Sequence, residues 1–366
     1  MKIIIAGGGT GGHLFPGIAV AEELVARGHE VRFVGTEKGI EARAVPKAGY
    51  ALDLIDISGL KKKGFAGTVS GLFRIPRAMS QSRAILKREN PAVVVGVGGY
   101  ASGPMVLAAA LGGRPTAILE QNSVPGFTNK TLGRFVKVVF GAFQTAAKSF
   151  SKKKYRLVGN PVRRPVREAL TAGRAEGDAK GDGAGDGDGV LVVGGSQGAH
   201  AVNELVFGAM TILQAVNQAP RLIHQTGEKD REEYARRYAE AGITADVRAF
   251  IDDMGAAYRS AAVVIGRAGA STLAELTMMG KPAILIPFPF AADDHQTVNA
   301  RELADAGAAQ LLVQATTTPS ELAEVLRGLL GDSALRANMA AASRALGRPR
   351  AHLEIADAIE ALAASP

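Results

Sequence analysis

Short, mainly apolar runs recur through the first half of the chain, at 2–6, 30–35, 92–97, 116–120 and 137–140. They are rich in Val and Ile and, apart from Glu30 and Arg32 in the second, show no polar alternation, which is the pattern of strands buried on both faces of a parallel sheet. Between the first two, residues 16–27 place Ile18, Ala21, Leu24 and Val25 on one helical face, with Pro16 suited to a helix start and Gly28 to its C′ position. Repeated strand–helix–strand order predicts a Rossmann-like, doubly wound α/β sheet. The second half repeats the scheme with runs at 190–193, 221–225, 247–250, 263–266, 283–287 and 310–313. Residues 171–189, crowded with Gly, Ala and Asp, cannot bury apolar surface and read as a flexible surface insert. Helical spacing returns at Ile355, Ile359 and Leu362. A length of 366 residues suits two domains. The expected division is an N-terminal domain over 1–162 and a second domain over 163–345 that carries the insert. A helix within 346–366 is expected to fold back on the first domain.

Two of these runs end in glycine-rich turns that open helices: Gly7-Gly8-Gly9-Thr10-Gly11-Gly12-His13 and Gly194-Gly195-Ser196-Gln197-Gly198-Ala199. Such turns let backbone N–H groups approach a phosphate or sugar, and the helix N-terminus adds partial positive charge. Finding the device twice predicts two similar domains facing each other across a cleft that holds the ligand. The first turn also satisfies G-x-G-x-x-G through Gly7, Gly9 and Gly12, with Glu37 as a candidate ribose-binding acid, so a nicotinamide-dependent oxidoreductase is an alternative. A non-catalytic sugar-nucleotide-binding module is another. No Lys-Ser/Thr follows either turn, which removes the P-loop reading.

Composition narrows the chemistry. The chain has no Cys, hence no disulfide framework, thiolate metal site or cysteine nucleophile. No HExxH or Asp-rich metal loop is present, and Asp293-Asp294-His295 only superficially resembles a metal-binding segment, so no metal cofactor is expected. No apolar run has transmembrane length, and a strand opening at Lys2 leaves no room for a signal peptide, so a soluble or peripheral protein is expected. A net charge of +8 favours acidic partners, while 5% aromatics and no Trp give little support to a nucleic-acid surface. The stretch from Lys61, Lys62, Lys63 and Phe65 to Leu72, Phe73, Arg74, Ile75 and Arg77 mixes cations with apolar side chains. It reads either as a basic loop before a buried helix or as a docking face for anionic lipid. His13 at its helix start is either a cap or a general base, since a helix N-terminus disfavours imidazolium and keeps a ring able to accept a proton.

The ordered motifs GGGTGGHLFPGIAVAEEL, VGVGGYASGP, EQNSVPG, VGNPVR, VVGGSQGA, FIDDM, RAGASTLAE and DDHQTVNA span nearly the whole chain. Together they resemble the bacterial peptidoglycan N-acetylglucosaminyltransferases of glycosyltransferase family 28. The resemblance implies a GT-B fold and inverting transfer of N-acetylglucosamine from UDP-N-acetylglucosamine to lipid I, giving lipid II. It implies a peripheral enzyme on the cytoplasmic face of the membrane, with lipid I, anionic lipid and other cell-wall synthesis proteins as partners. By the same resemblance the donor is held by Thr10, Gly11, Gly12, Asn122, Arg163, Ser196, Gln197, Ile251, Met254, Ala270, Ser271, Thr272, Glu275, His295 and Gln296. The acceptor diphosphate falls to Gly8, Gly9, Thr10, Gly98, Gly99 and Tyr100, and the base to His13. Within this set Glu275 would accept from both ribose hydroxyls, and the backbone of Ile251 would read uracil, leaving its side chain replaceable. His295 stands where some relatives have Gln.

Overall fold

The structure is a computed structural model that describes residues 1–57, 65–175, 187–195 and 198–364; for 65–74 and 171–175 it describes the backbone alone. The chain divides into two compact units, Met1–Arg163 with Arg348–Pro366, and Arg164–Gly347.

The first unit runs β1 (Lys2–Gly7), α1 (Gly11–Ala26), β2 (Glu30–Gly35), α2 (Glu41–Lys47), β3 (Ala51–Leu54), α3 (Phe65–Glu89), β4 (Val93–Gly98), α4 (Ser102–Leu111), β5 (Thr116–Glu120), α5 (Phe127–Leu132), β6 (Val138–Gly141) and β7 (Tyr155–Leu157). Its sheet has the order β3-β2-β1-β4-β5-β6-β7, with every pairing parallel. Both faces of the central strands are covered. Ile3, Ile5 and Val95 pack with Leu14, Val20 and Leu24 of α1 on one side, and Ile4, Val94 and Ile118 with Met105 and Val106 of α4 on the other. This two-sided burial is why these strands read as unbroken apolar runs.

The second unit runs α6 (Arg164–Ala175), β8 (Gly189–Val193), α7 (His200–Ala215), β9 (Leu222–Gln225), α8 (Arg231–Glu240), β10 (Ala245–Arg248), α9 (Met254–Arg259), β11 (Ala261–Gly266), α10 (Ala270–Met279), β12 (Ala283–Leu285), α11 (His295–Asp305), β13 (Ala309–Leu311), α12 (Pro319–Gly331) and α13 (Ser333–Leu346). Its parallel sheet, β10-β9-β8-β11-β12-β13, repeats the first sheet's winding. In both units the chain reverses direction beside the first strand, between β1 and β4 and between β8 and β11. The crevice outside the carboxyl ends of strands at such a switch point is where doubly wound sheets bind ligands. The last helix, α14 (Ala351–Ala364), lies on α1: Ile355 and Ile359 join the first unit's core, and Arg27 and His29 pair with Asp357 and Glu360.

Three sequence expectations are corrected. The first helix begins at Gly11, so Pro16 lies inside it and is buried. Strands β3 and β7 were missed; both are short, edge-placed and partly exposed. The segment expected to form an insert from 171 is helical through Ala175, as the end of α6, and Gly189 opens β8. Residues 176–186 of that expected insert lie outside the described residues.

Candidate functional site

In the first unit the site is built on interlocked glycines. Gly7, Gly8 and Gly9 have φ of 140°, 139° and 85°. A Cβ on Gly7 would stand 2.1 Å from the Gly98 carbonyl oxygen, and one on Gly99 would stand 2.3 Å from that of Gly8. The two turns therefore pack backbone against backbone, closed by Gly8 N–H donating to Gly98 C=O at 3.1 Å. Behind them lies the buried carboxylate of Glu41, which the sequence reading missed. Its Oε2 accepts from Gly9 N–H at 2.6 Å, and its Oε1 accepts from Thr36 N–H at 2.9 Å and Thr36 Oγ at 2.8 Å.

The N–H groups of Gly8 and Gly9 are thus spent internally. Thr10 is the extended N-cap of α1, and the N–H groups of Gly11 and Gly12 that follow have no intrahelical partner. His13 stands in the same first turn, with Nδ1 3.0 Å from Gln121 Oε1. Tyr100 is exposed.

Asn122 follows β5, its N–H donating to Glu120 Oε1 at 3.0 Å. Glu120 is deeply buried, and burial pushes its carboxyl up to about 7 against the opposing pull of donors from Asn122, Asn129, Gly126 and Gln121. The Arg163 guanidinium lies over the Phe15 ring, 5.5 Å from its centroid, so this residue belongs with the first unit. On the basic stretch, Ile75 is exposed and Arg77 pairs with Asp56 at 3.3 Å. Lys61, Lys62 and Lys63 lie outside the described residues, as do the side chains of Phe65, Leu72, Phe73 and Arg74.

The second unit places its candidate residues after the ends of β8, β10, β11 and β12. Gly195 and Gly198 have positive φ, and a Cβ on Gly198 would stand 2.2 Å from the Thr226 carbonyl oxygen. Ser196 and Gln197 between them lie outside the described residues. Ala270, Ser271 and Thr272 form the first turn of α10, and among the described residues the buried Ser271 Oγ has no hydrogen-bond partner. Glu275, one turn on, is buried and accepts from the Tyr258 hydroxyl at 3.2 Å.

Ile251 is wholly buried, which corrects the expectation of a replaceable side chain: truncation would leave a cavity. Met254, also buried, opens α9, whose N-cap Asp253 accepts from Ala256 N–H at 2.8 Å. Gln296 accepts from Phe288 N–H at 3.0 Å. His295 Nδ1 donates to the Ala292 carbonyl at 2.7 Å, which leaves the lone pair on Nε2. The two residues before it, Asp293 and Asp294, both hold left-handed backbone (φ 52° and 51°), a strain that non-glycine residues retain where the surrounding structure demands it.

Arg267 was not singled out as a site residue. Its guanidinium donates to the carbonyls of Ile286 and Pro287 and lies over Phe288, tying the end of β11 to the loop before His295. Among the described residues there is no group of three His, Asp or Glu side chains placed to hold a metal ion, and no helix long and apolar enough to cross a membrane.

Comparison with known proteins agrees with this layout. The N-terminal domain of glycosyltransferase family 28 matches residues 3–141, and its C-terminal domain matches residues 189–360. The chain is 51% identical over 359 residues to a Myxococcus xanthus protein named UDP-N-acetylglucosamine--N-acetylmuramyl-(pentapeptide) pyrophosphoryl-undecaprenol N-acetylglucosamine transferase, covering 98% of this chain and 92% of that one. A Syntrophus aciditrophicus protein of the same name is 45% identical over 364 residues, covering 99% of each. Among solved structures, Acinetobacter baumannii MurG superposes with a TM-score of 0.79 at 34% identity, covering 98% of this chain and 99% of that one. With both family domains present in order and relatives of this similarity over almost its full length, the chain belongs to glycosyltransferase family 28 and has the α/β GT-B fold.

Proposed function

We propose that this chain transfers N-acetylglucosamine from UDP-N-acetylglucosamine to the undecaprenyl-diphosphate-linked N-acetylmuramyl pentapeptide, lipid I, releasing UDP and forming lipid II. It is a hexosyltransferase of peptidoglycan synthesis. Family membership displaces the oxidoreductase reading, and Glu37, its candidate ribose acid, is exposed in the turn after β2.

The observation that carries the mechanism is His13 in the first turn of α1, beside helix N–H groups suited to an anion. Because Gly8 and Gly9 spend their N–H groups internally, an acceptor diphosphate at this turn is met by Thr10, Gly11 and Gly12, with Gly98, Gly99 and Tyr100 alongside. The ring of His13 takes the proton of the acceptor hydroxyl as that oxygen attacks the anomeric carbon. The bond from the anomeric carbon to the diphosphate breaks, its electron pair leaves with UDP, and the single displacement inverts the centre.

On the donor side, the first turn of α10, the unsatisfied Ser271 hydroxyl, Ser196 and Gln197 receive the UDP diphosphate, and Arg163 stabilises its departing charge. Glu275 accepts from the ribose. Asn122, His295 and Gln296 hold the sugar hydroxyls. Uracil is read at the 250–254 turn, which must shift to admit it because Ile251 is buried with its backbone. No metal is assigned to the reaction.

The acceptor's lipid tail stays in a bilayer, so the enzyme works peripherally at the cytoplasmic face. The basic stretch beginning at Lys61 docks it on anionic lipid, where other cell-wall synthesis proteins are candidate neighbours. The test is UDP release in the presence of UDP-N-acetylglucosamine and a water-soluble lipid I analogue. UDP and the donor are also expected to raise the melting temperature while NAD(H) does not. Donor binding without UDP release would leave a binding module and overturn the assignment.

A further inference from the structure

His13 does not set its own tautomer. Its Nδ1 faces Oε1 of Gln121, 108 residues away, at 3.0 Å. The other end of that amide is committed: Gln121 Nε2–H donates to the Val97 carbonyl at 3.0 Å. The oxygen turned toward His13 can therefore only accept, so Nδ1 must carry the proton and Nε2 the lone pair. Gln121 is 1% exposed, so water does not compete for either bond. The ring is also pressed on Gly98, where a Cβ would stand 2.8 Å from Nδ1.

We propose that Gln121 is a positioning residue for the transfer reaction: it holds His13 in the Nδ1–H tautomer and so presents Nε2 as the base. This rests on the reading of His13 as general base. A histidine side chain left to water prefers the opposite tautomer, whose Nε2–H has nothing with which to accept a proton. With Gln121 in place, Nε2 takes the hydroxyl proton as the new carbon–oxygen bond forms and UDP departs. The resulting imidazolium keeps its Nδ1–H on Gln121 and then loses the Nε2 proton to water. A neutral amide suits the place better than a carboxylate, because it fixes the ring without adding negative charge where a diphosphate must bind.

Long-range ¹H–¹⁵N correlation spectra of the full chain, labelled in its six histidines, read the tautomer directly, with His13 assigned from its loss in His13→Asn. Wild type is expected to show Nδ1–H. Gln121→Met, similar in length but without an acceptor, is expected to move the proton to Nε2 and lower kcat by ~10–10²-fold, with donor KM unchanged. Gln121→Glu keeps an acceptor oxygen but adds charge and loses the bond to Val97, so it is expected to retain Nδ1–H and recover only part of the kcat lost in Gln121→Met, and its tautomer decides the question if the methionine variant does not fold. An Nε2–H ring in wild type, or a Gln121→Met protein whose His13 keeps Nδ1–H, overturns the proposal, as does failure of Gln121→Glu to hold Nδ1–H. If the tautomer follows Gln121 but kcat ignores both Gln121→Met and His13→Ala, tautomer control stands and the base reading falls.

Discussion

Replacing Glu41 by Gln tests whether the glycine turn is held from behind by a buried carboxylate. Glu41 is 1% exposed and makes three hydrogen bonds with its two oxygens, to Gly9 N–H, Thr36 N–H and Thr36 Oγ. A glutamine has one oxygen. If it faces Thr36, the amide NH₂ meets Gly9 N–H, donor against donor; if it faces Gly9, Thr36 N–H loses its acceptor. Either way at least one charge-assisted bond is lost, worth about 1.5–3 kcal/mol, and where Thr36 is the side deprived, a buried N–H is also left unsatisfied at about 1–3 kcal/mol. Allowing for partial relaxation, the loss should be about 2–4 kcal/mol, a large share of the ~5–15 kcal/mol that holds a typical domain.

The assay is urea unfolding followed by far-UV circular dichroism, comparing midpoints for the transition of the first unit, alongside steady-state kinetics. A turn released from Glu41 should raise the KM for a soluble acceptor and leave the donor KM near wild type, since Glu275 and the first turn of α10 lie in the second unit. An unfolding midpoint shifted by less than the equivalent of about 0.5 kcal/mol, with an unchanged acceptor KM, would refute the reasoning.

His13→Ala should lower kcat by ~10²–10⁴-fold with donor KM nearly intact, and a normal kcat would move the search for the base elsewhere. Glu275→Gln should weaken the donor by about 1.5–3 kcal/mol, read as a rise in donor KM, and an unchanged value would count against a ribose role. Replacing Lys61, Lys62 and Lys63 with Glu should reduce sedimentation with anionic vesicles, at about 1 kcal/mol per residue, while activity on a soluble acceptor holds; undiminished sedimentation would place the docking face elsewhere. Glu120, raised to about 7 in the fold by burial, gives up its proton in the unfolded chain near the ordinary carboxylate value. Its contribution to stability is therefore present at low pH and lost as pH rises through that window, by on the order of 3 kcal/mol. Urea midpoints between pH 5 and 8 should show this slope in wild type and not in Glu120→Gln, and parallel profiles would contradict it.

Much of the fold was legible in the sequence because its strands are buried on both faces. Runs such as Ile3-Ile4-Ile5 and Val93-Val94-Val95 have no polar side to disguise them, and the two glycine turns mark the strand ends where the sheets reverse direction. The edge strands β3 and β7 were illegible for the complementary reason: each pairs on one side only and is half-exposed, so Ala51–Leu54 and Tyr155–Leu157 carry no unbroken apolar run. The start of α1 was misplaced because its first turn contains Gly11 and Gly12, poor helix formers that tertiary context overrides. Around the candidate site, the sequence marked the glycines and His13 but gave no hint of what holds them. Glu41 lies 32 residues from Gly9, and Gln121 lies 108 from His13. No local spacing links either pair. They meet because parallel pairing sets β2, β1, β4 and β5 side by side with their carboxyl ends together, and only that arrangement decides which buried acceptor faces which donor.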